Sequence, residues 1–271
     1  MTASLNKMMT RRYIFRLVLF QFILGLFLTG CGILEGNQEL TSQDRIDVLF
    51  IGNSYTSSNG LPDMFERMAR SGGYRVHVAM VAPGGWTLAD HLQSTETLEK
   101  IRGNEWEFVV LQEQSVIPSL VDTRERQMYP AVRQLHDEIK ALGADTILFM
   151  TWGRRNGFPS EGHRDFTSMQ AALEAGYVKI GNELNVTIAP VGVAWRNGLR
   201  SAPQLDLWVE DGSHPNREGT YLAACVLYAV IFGQSPEGIS YTAGVDDDWG
   251  LWFQTIAAES VAASSGHWNL P

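Results

Sequence analysis

The chain has 271 residues, of which 45% are apolar and 10% aromatic, with a formal charge of −9; that is enough chain for one domain with a sizeable core. The first 30 residues hold four basic and no acidic side chains, so residues 31–271 carry 17 Lys and Arg against 30 Asp and Glu, a formal charge of −13. A surface that tracks phosphates needs the opposite sign, which argues against nucleic acid and anionic lipid headgroups as partners.

Lys7, Arg11, Arg12 and Arg16 precede an apolar run from Leu17 to Leu28, and LTGC follows at Leu28 to Cys31. This is the pattern of a bacterial secretory signal ending in a lipobox. A run of about a dozen residues falls short of the roughly 20 that span a bilayer. Residues 1–30 are therefore expected to be a lipoprotein signal peptide, with Cys31 the lipidated N-terminus; an uncleaved anchor is the alternative. Thr10-Arg11-Arg12 leaves the route open between general secretion and twin-arginine export. Membrane attachment would come from acyl chains on Cys31 alone, which places the protein extracytoplasmically in a bacterial cell envelope. Residues 31–44 are polar with two glycines and read as a tether; residues 45–271 read as the folded domain. Cys225, in the apolar stretch YLAACVLYAVIFG, reads as a buried free thiol. With one cysteine left, neither a disulfide framework nor a cysteine zinc site can be built.

Apolar runs near 46–51, 75–81, 107–112, 145–151 and 185–191 read as strands. Helical patterns fall between them near 61–71, 88–101, 124–142 and 166–183, and a long final helix is expected near 216–232. The strands are continuous apolar runs such as DTILFMT, the form taken by strands covered by helices on both faces. Repeated strand-helix units imply an α/β domain with a mostly parallel sheet and right-handed crossovers. Ligands of such sheets gather at the carboxyl ends of the strands. Ser54, Gly84, Gln114 and Trp152 all follow strands closely and would share that rim.

Ser54 closes the first strand in VLFIGNSYTSSNGLP, where Gly52 lets the backbone turn. A serine in such a turn usually caps a helix or bonds to the backbone. Asp211 and His214 stand three apart in VEDGSHPNREGT, just before the final helix. That spacing allows a carboxylate to hold one imidazole nitrogen while the other faces outward, as a general base requires; a helix cap is the alternative.

Together these pieces resemble the four blocks of the SGNH/GDSL hydrolases: Gly-x-Ser after the first strand, glycines after the second, a polar amide after the third, and Asp-x-x-His near the C-terminus. The resemblance covers about Ile46 to Gly233 in the right order. It implies a flavodoxin-like three-layer α/β/α sandwich around a central, mostly parallel five-stranded sheet. It makes Ser54 the nucleophile, His214 the general base and Asp211 its orienting partner. The oxyanion would be held by the Ser54 amide, a glycine amide in VAPGGWTLADHL, and a side-chain amide. The glycine is Gly84 or Gly85, with Gly84 favoured. Where the family carries GxND this chain has LQEQS, so Gln114 takes the place of the asparagine and Gln112 is the substitute candidate. GNS also replaces the usual GDS, with Asn53 for an aspartate that is not a triad member. The GNSYT, LQEQS and DGSHPN blocks most resemble an uncharacterised bacterial branch of the superfamily.

The implied activity is serine ester hydrolysis through an acyl-enzyme, on a short acyl group such as acetyl on a carbohydrate. The substrate would be a small-molecule or glycan ester. A lipase or thioesterase of the same fold and a non-catalytic binding lipoprotein are the alternatives. A flavodoxin-like nucleotide binder ranks last, since G-x-G-x-x-G and the Walker pattern are both missing. No metal or organic cofactor is implied: there is no HExxH pattern and no second histidine near His214 at ligand spacing. Trp86 and Trp152 are placed to stack on a sugar ring, with core or loop packing as the alternative. Arg154 and Arg155 in TWGRRNG fall on the same rim, where a solvated loop is the default. His77, His91, His136, His163 and His267 show no partner spacing and are assigned no role.

Overall fold

Five of the apolar runs form strands: β1 (Arg45–Ile51), β2 (Arg75–Val81), β3 (Phe108–Leu111), β4 (Asp145–Phe149) and β5 (Thr187–Ala189). The computed structural model describes residues 45–263 and 265–270, so the expected signal peptide, Cys31 and the tether lie outside the described residues. Every pairing is parallel and the order is β2-β1-β3-β4-β5. Parallel neighbours need crossovers, and helices supply them. In chain order these are α1 (Ser54–Ser57), α2 (Leu61–Ser71), α3 (Leu88–Gln93), α4 (Thr95–Arg102), α5 (Val121–Thr123), α6 (Tyr129–Ala141), α7 (Phe166–Leu184), α8 (Val191–Ser201), α9 (Arg217–Phe232) and α10 (Asp247–Ala262).

Alternate strand residues feed two cores, as the period of two dictates. Val48, Phe50, Val110, Ile147 and Phe149 pack with α2, α8, α9 and α10. Leu49, Ile51, Val109, Leu111, Leu148 and Ile188 pack on the opposite face with α3, α4, α6 and α7. The result is the expected three-layer sandwich, with every strand pairing parallel. Because β2 and β3 flank β1, the order reverses at β1, and a crevice opens at its carboxyl end. Ser54 stands there, three residues past Ile51.

The helix expected over 124–142 opens as a π-helical turn at Arg124–Met128, the strand expected over 145–151 ends at Phe149, and three larger differences follow. The helix expected over 88–101 is broken at Ser94, whose hydroxyl caps α4 by accepting from the Thr97 amide at 3.2 Å. The fifth strand, expected over 185–191, is confined to Thr187–Ala189 because Pro190 has no N–H to donate and opens α8 instead. The chain also does not finish on α9. That helix buries every residue from Gly219 to Ile231, and a helix apolar all round needs cover on all sides. Helix α10, capped by the Asp246 side chain, supplies the cover, with Gln254 Nε2 donating to the Tyr221 hydroxyl at 2.8 Å. Cys225 is a free, buried thiol within α9, its pKa pushed up by burial.

Phe65 on α2 links the sheet to α9, with its ring 5.8 Å from Phe50 and 5.9 Å from Phe232. Truncating it leaves a cavity the sheet cannot collapse into, so Phe65→Ala should cost about 3–5 kcal/mol in urea unfolding. A loss below about 1 kcal/mol would show that α2 is not fixed through this side chain.

Candidate active site

Strand β1 ends inside the core, so the polar backbone of the turn after it needs protein partners. The Gly52 amide donates to the Val81 carbonyl at 3.1 Å. A Cβ on Gly52 would lie 2.4 Å from Thr56 Oγ1 and 2.5 Å from Gln112 Oε1, which explains the glycine. Gln112 is fully buried, and its Oε1 accepts from the Asn53 amide and the Thr56 hydroxyl, each at 2.9 Å. Its Nε2 donates to the Glu113 carbonyl at 2.5 Å. His91 Nε2 donates to the Gly52 carbonyl at 2.7 Å, and its Nδ1 lies 2.9 Å from the Thr97 hydroxyl. A carbonyl only accepts, so Nε2 carries a proton; burial lowers the pKa of this ring. Asn53 caps α1 through the Tyr55 amide at 3.1 Å, while its Nδ2 donates to the Trp86 carbonyl at 2.8 Å. Ser54 is thereby held at the first position of α1.

Across the rim, Asp211, Ser213 and His214 form a tight turn that needs Gly212 at φ +65°. Asp211 Oδ1 accepts from the Ser213 and His214 amides at 2.8 and 2.9 Å. Its Oδ2 lies 2.5 Å from His214 Nδ1, and His214 Nε2 lies 2.8 Å from Ser54 Oγ. Burial alone would raise the Asp211 carboxyl, but the bonds from the His214 ring and the Ser213 and His214 amides outweigh it and hold the pKa below its ordinary value. The ionised carboxylate keeps the proton on Nδ1, which leaves Nε2 with a lone pair toward the serine hydroxyl.

This turn rests on aromatic rings. Trp152 is sandwiched between Tyr55 at 4.7 Å and Trp195 at 4.2 Å, both nearly parallel to it. Trp152 Nε1 donates to the Ser213 carbonyl at 3.0 Å, and the Tyr55 and Ser213 hydroxyls are 2.7 Å apart. For Trp152 the sequence left a rim platform for a sugar and core packing both open, and the structure gives core packing. Trp152 is fully buried, because both of its ring faces are already stacked, and it supports the histidine turn instead. Trp86 is half-buried, its ring edge-on to His91 at 5.1 Å.

The residues expected around an oxyanion follow β1, β2 and β3, which are adjacent. Gly84 is exposed in a turn closed by the Trp86 amide and the Pro83 carbonyl at 3.3 Å, where Gly85 takes φ +78°. Among the described residues neither the Ser54 nor the Gly84 amide has a hydrogen-bond partner. Gln114 is half-exposed, and its Oε1 accepts from the Val116 amide at 2.8 Å, which leaves Nε2 as its spare donor. Gln112 cannot substitute for it, since both ends of its amide are engaged in the turn before Ser54.

Sequence reasoning passed over Glu113, Tyr55 and His91. Glu113 is fully buried, and its Oε1 accepts from the Gln114 amide at 2.6 Å and the Leu88 amide at 3.2 Å. One carboxyl oxygen thus ties the loop carrying Gly84 to the loop carrying Gln114. Its other oxygen has no partner among the described residues. Burial raises the carboxyl pKa to about 7, against the pull of those two amides. A charged residue directly after a buried strand was the available signal, since such a position is normally apolar or paired.

No family model and no curated protein matches the chain. Among solved structures, a DUF4886 family protein from Bacteroides uniformis superposes with a TM-score of 0.69 at 19% identity, over 80% of this chain and 95% of that one. A candidate SGNH hydrolase from Slackia heliotrinireducens gives 0.59 at 29% identity, over 69% and 99%. An acetylxylan esterase from Geobacillus stearothermophilus gives 0.52 at 18% identity, over 67% and 92%. The fold is that of the SGNH/GDSL hydrolases, and at that coarse level the Slackia neighbour supports a hydrolase.

A carboxyl whose folded pKa stands above its ordinary 4.5, at about 7, favours folding most below pH 4.5 and loses that contribution as the pH rises toward 7. His91, with its lowered pKa, gives the opposite slope, so the comparison needs a variant. From pH 5 to pH 8 the wild type should lose about 2.5 kcal/mol of urea-unfolding stability relative to Glu113→Gln. A stability difference between the two proteins that stays constant with pH would show that Glu113 does not titrate in this range.

Proposed function

We propose that the chain is a serine esterase that removes a short acyl group, such as acetyl, from a carbohydrate. The observation that carries this reading is the hydrogen-bonded relay from Ser54 Oγ through the His214 ring to Asp211. A serine hydroxyl is a poor nucleophile unless a base takes its proton during attack. His214 Nε2 is placed to do so as Oγ bonds to the ester carbonyl carbon. The charge moves to the carbonyl oxygen, where the Ser54 amide, the Gly84 amide and Gln114 Nε2 serve as donors in this reading. His214 returns the proton to the departing alcohol oxygen. Water then attacks the acyl-enzyme with His214 again as base, which releases the acid and restores Ser54. Every step uses side chains and backbone of this chain.

The acetyl and glycan part rests on less: a structural neighbour described as an acetylxylan esterase, and Trp86, half-buried beside Gly84, as a surface for a sugar ring. The reading also includes a lipid on Cys31 that tethers the domain to a bacterial membrane on its extracytoplasmic side. Cys31→Ser should then abolish lipid labelling and release the protein from membranes; undiminished labelling would overturn the anchor without touching the esterase.

A fluorophosphonate probe should label the domain, with the mark on the Ser54 peptide. Ser54→Ala and His214→Ala should each remove about 1000-fold or more of p-nitrophenyl acetate hydrolysis, and the double variant should be scarcely worse, because the groups act as a unit. Full activity in a folded Ser54→Ala protein would refute the serine mechanism. Gln114→Ala should lower kcat about 100-fold with KM little changed, as for a bond made mainly in the transition state.

A further inference from the structure

The two arginines that follow β4 have different surroundings. Arg155 is committed: its Nη2 lies 2.9 and 2.8 Å from the two carboxylate oxygens of Asp206 and 3.0 Å from the Val209 carbonyl. Arg154 is half-buried and has no carboxylate within salt-bridge distance among the described residues. Its Nη2 donates to the Ser115 hydroxyl at 3.2 Å, and its guanidinium lies over the Phe158 ring at 4.7 Å. Its Nε is buried without a partner. A cation that has lost much of its water without gaining an anion is costly, and such groups are normally paired.

The place of this cation matters. Ser115 adjoins Gln114, and Tyr55 adjoins Ser54. Burial raises the Tyr55 pKa, while the neighbouring Ser213 hydroxyl and the charge of Arg154 pull it back. The guanidinium thus bonds next to Gln114 through Ser115, while the Tyr55 hydroxyl bonds to the turn carrying His214. Stacking on Phe158 and the bond to Ser115 hold it in one orientation, so little side-chain freedom is lost on meeting a ligand. The chain beyond residue 30 is strongly acidic, and a local cation would offset its repulsion of an anionic substrate.

We infer that Arg154 is an anion subsite of the esterase centre, which receives a carboxylate carried by the ester substrate on its acyl part or on its sugar. The inference rests on the esterase reading and names the class of ester within it. A neutral ester would leave the guanidinium unpaired in the complex; a carboxylated one would pair it through charge-assisted hydrogen bonds.

The test compares charged with neutral esters. For the acyl part, mono-p-nitrophenyl succinate is set against p-nitrophenyl butyrate. For the sugar, acetylated oligogalacturonides are set against acetylated xylo-oligosaccharides. In at least one pair the wild type should favour the charged member by about 10-fold in kcat/KM, mainly through KM. That preference should shrink between about 0.05 M and about 0.5 M salt. In Arg154→Gln the charged-to-neutral ratio should collapse, and Arg154→Lys should restore part of it. No preference in either pair, or an equal fall of kcat for charged and neutral esters in Arg154→Gln, would overturn the subsite. Should Arg154→Gln fail to fold, the wild-type ratios and their salt dependence decide alone. If the Ser54 peptide is not labelled and none of the four esters is cleaved, the esterase reading itself fails. Labelling and turnover without charge preference sink the subsite only.

Discussion

The turn at Gly52-Asn53-Ser54 depends on one side chain, the amide of Gln112. A strand that ends in the core leaves backbone donors with no water to bond, and an unmade bond there costs more than a made one contributes. Gln112 Oε1 answers one of those donors, the Asn53 amide, and the Thr56 hydroxyl with it, and Nε2 is spent on the Glu113 carbonyl. Everything downstream follows: the cap by Asn53, the start of α1, and the direction in which Ser54 leaves the sheet. The same amide crowds the space where a side chain on Gly52 would stand, so glycine and glutamine are a matched pair although 60 positions separate them.

The sheet was legible in the sequence because continuous apolar runs admit few alternatives when they alternate with helical patterns. Ser54, Asp211 and His214 were legible because two of them share a short turn and the third closes the first strand. What stayed hidden has a common physical character. Gln112 and Gln114 are the same residue type two positions apart, and only burial separates a side chain that braces a turn from one that faces the rim. Trp152 follows a strand as a rim residue would, yet stacking on both faces draws it inside. Helix α8 was masked because the apolar run of β5 continues into it past Pro190. The need for α10 was written in the all-round apolar surface of α9, which no single face of the sheet could cover.

Several of the bonds around the turn join loops, not regular elements. Asn53 reaches the Trp86 carbonyl, His91 reaches back to Gly52, and Glu113 holds the amides of Leu88 and Gln114. Loops at the rim of a parallel sheet are free to move unless something inside grips them. Here the grip comes from buried polar side chains on neighbouring segments, so the three candidate donors are braced by one connected network and not each by its own loop. Such networks specify geometry well when every member is satisfied. The single bare oxygen on Glu113 is the place where this one is incomplete.

The Ser54–His214–Asp211 relay sits in the open: the side chain of Asp211 is 46% exposed and that of His214 39%. Serine relays gain from a dry surround, where a carboxylate acts on an imidazole with little dielectric loss. In the proposed esterase an open relay sacrifices part of that gain and keeps bulk water within reach of the acylated serine. In that reading the second half-reaction draws its water directly from solvent, and competing acceptor alcohols hold no positional advantage over it. For the proposed reaction, release of the free acid, not transfer of the acyl group to another alcohol, is the outcome that such an exposed relay favours.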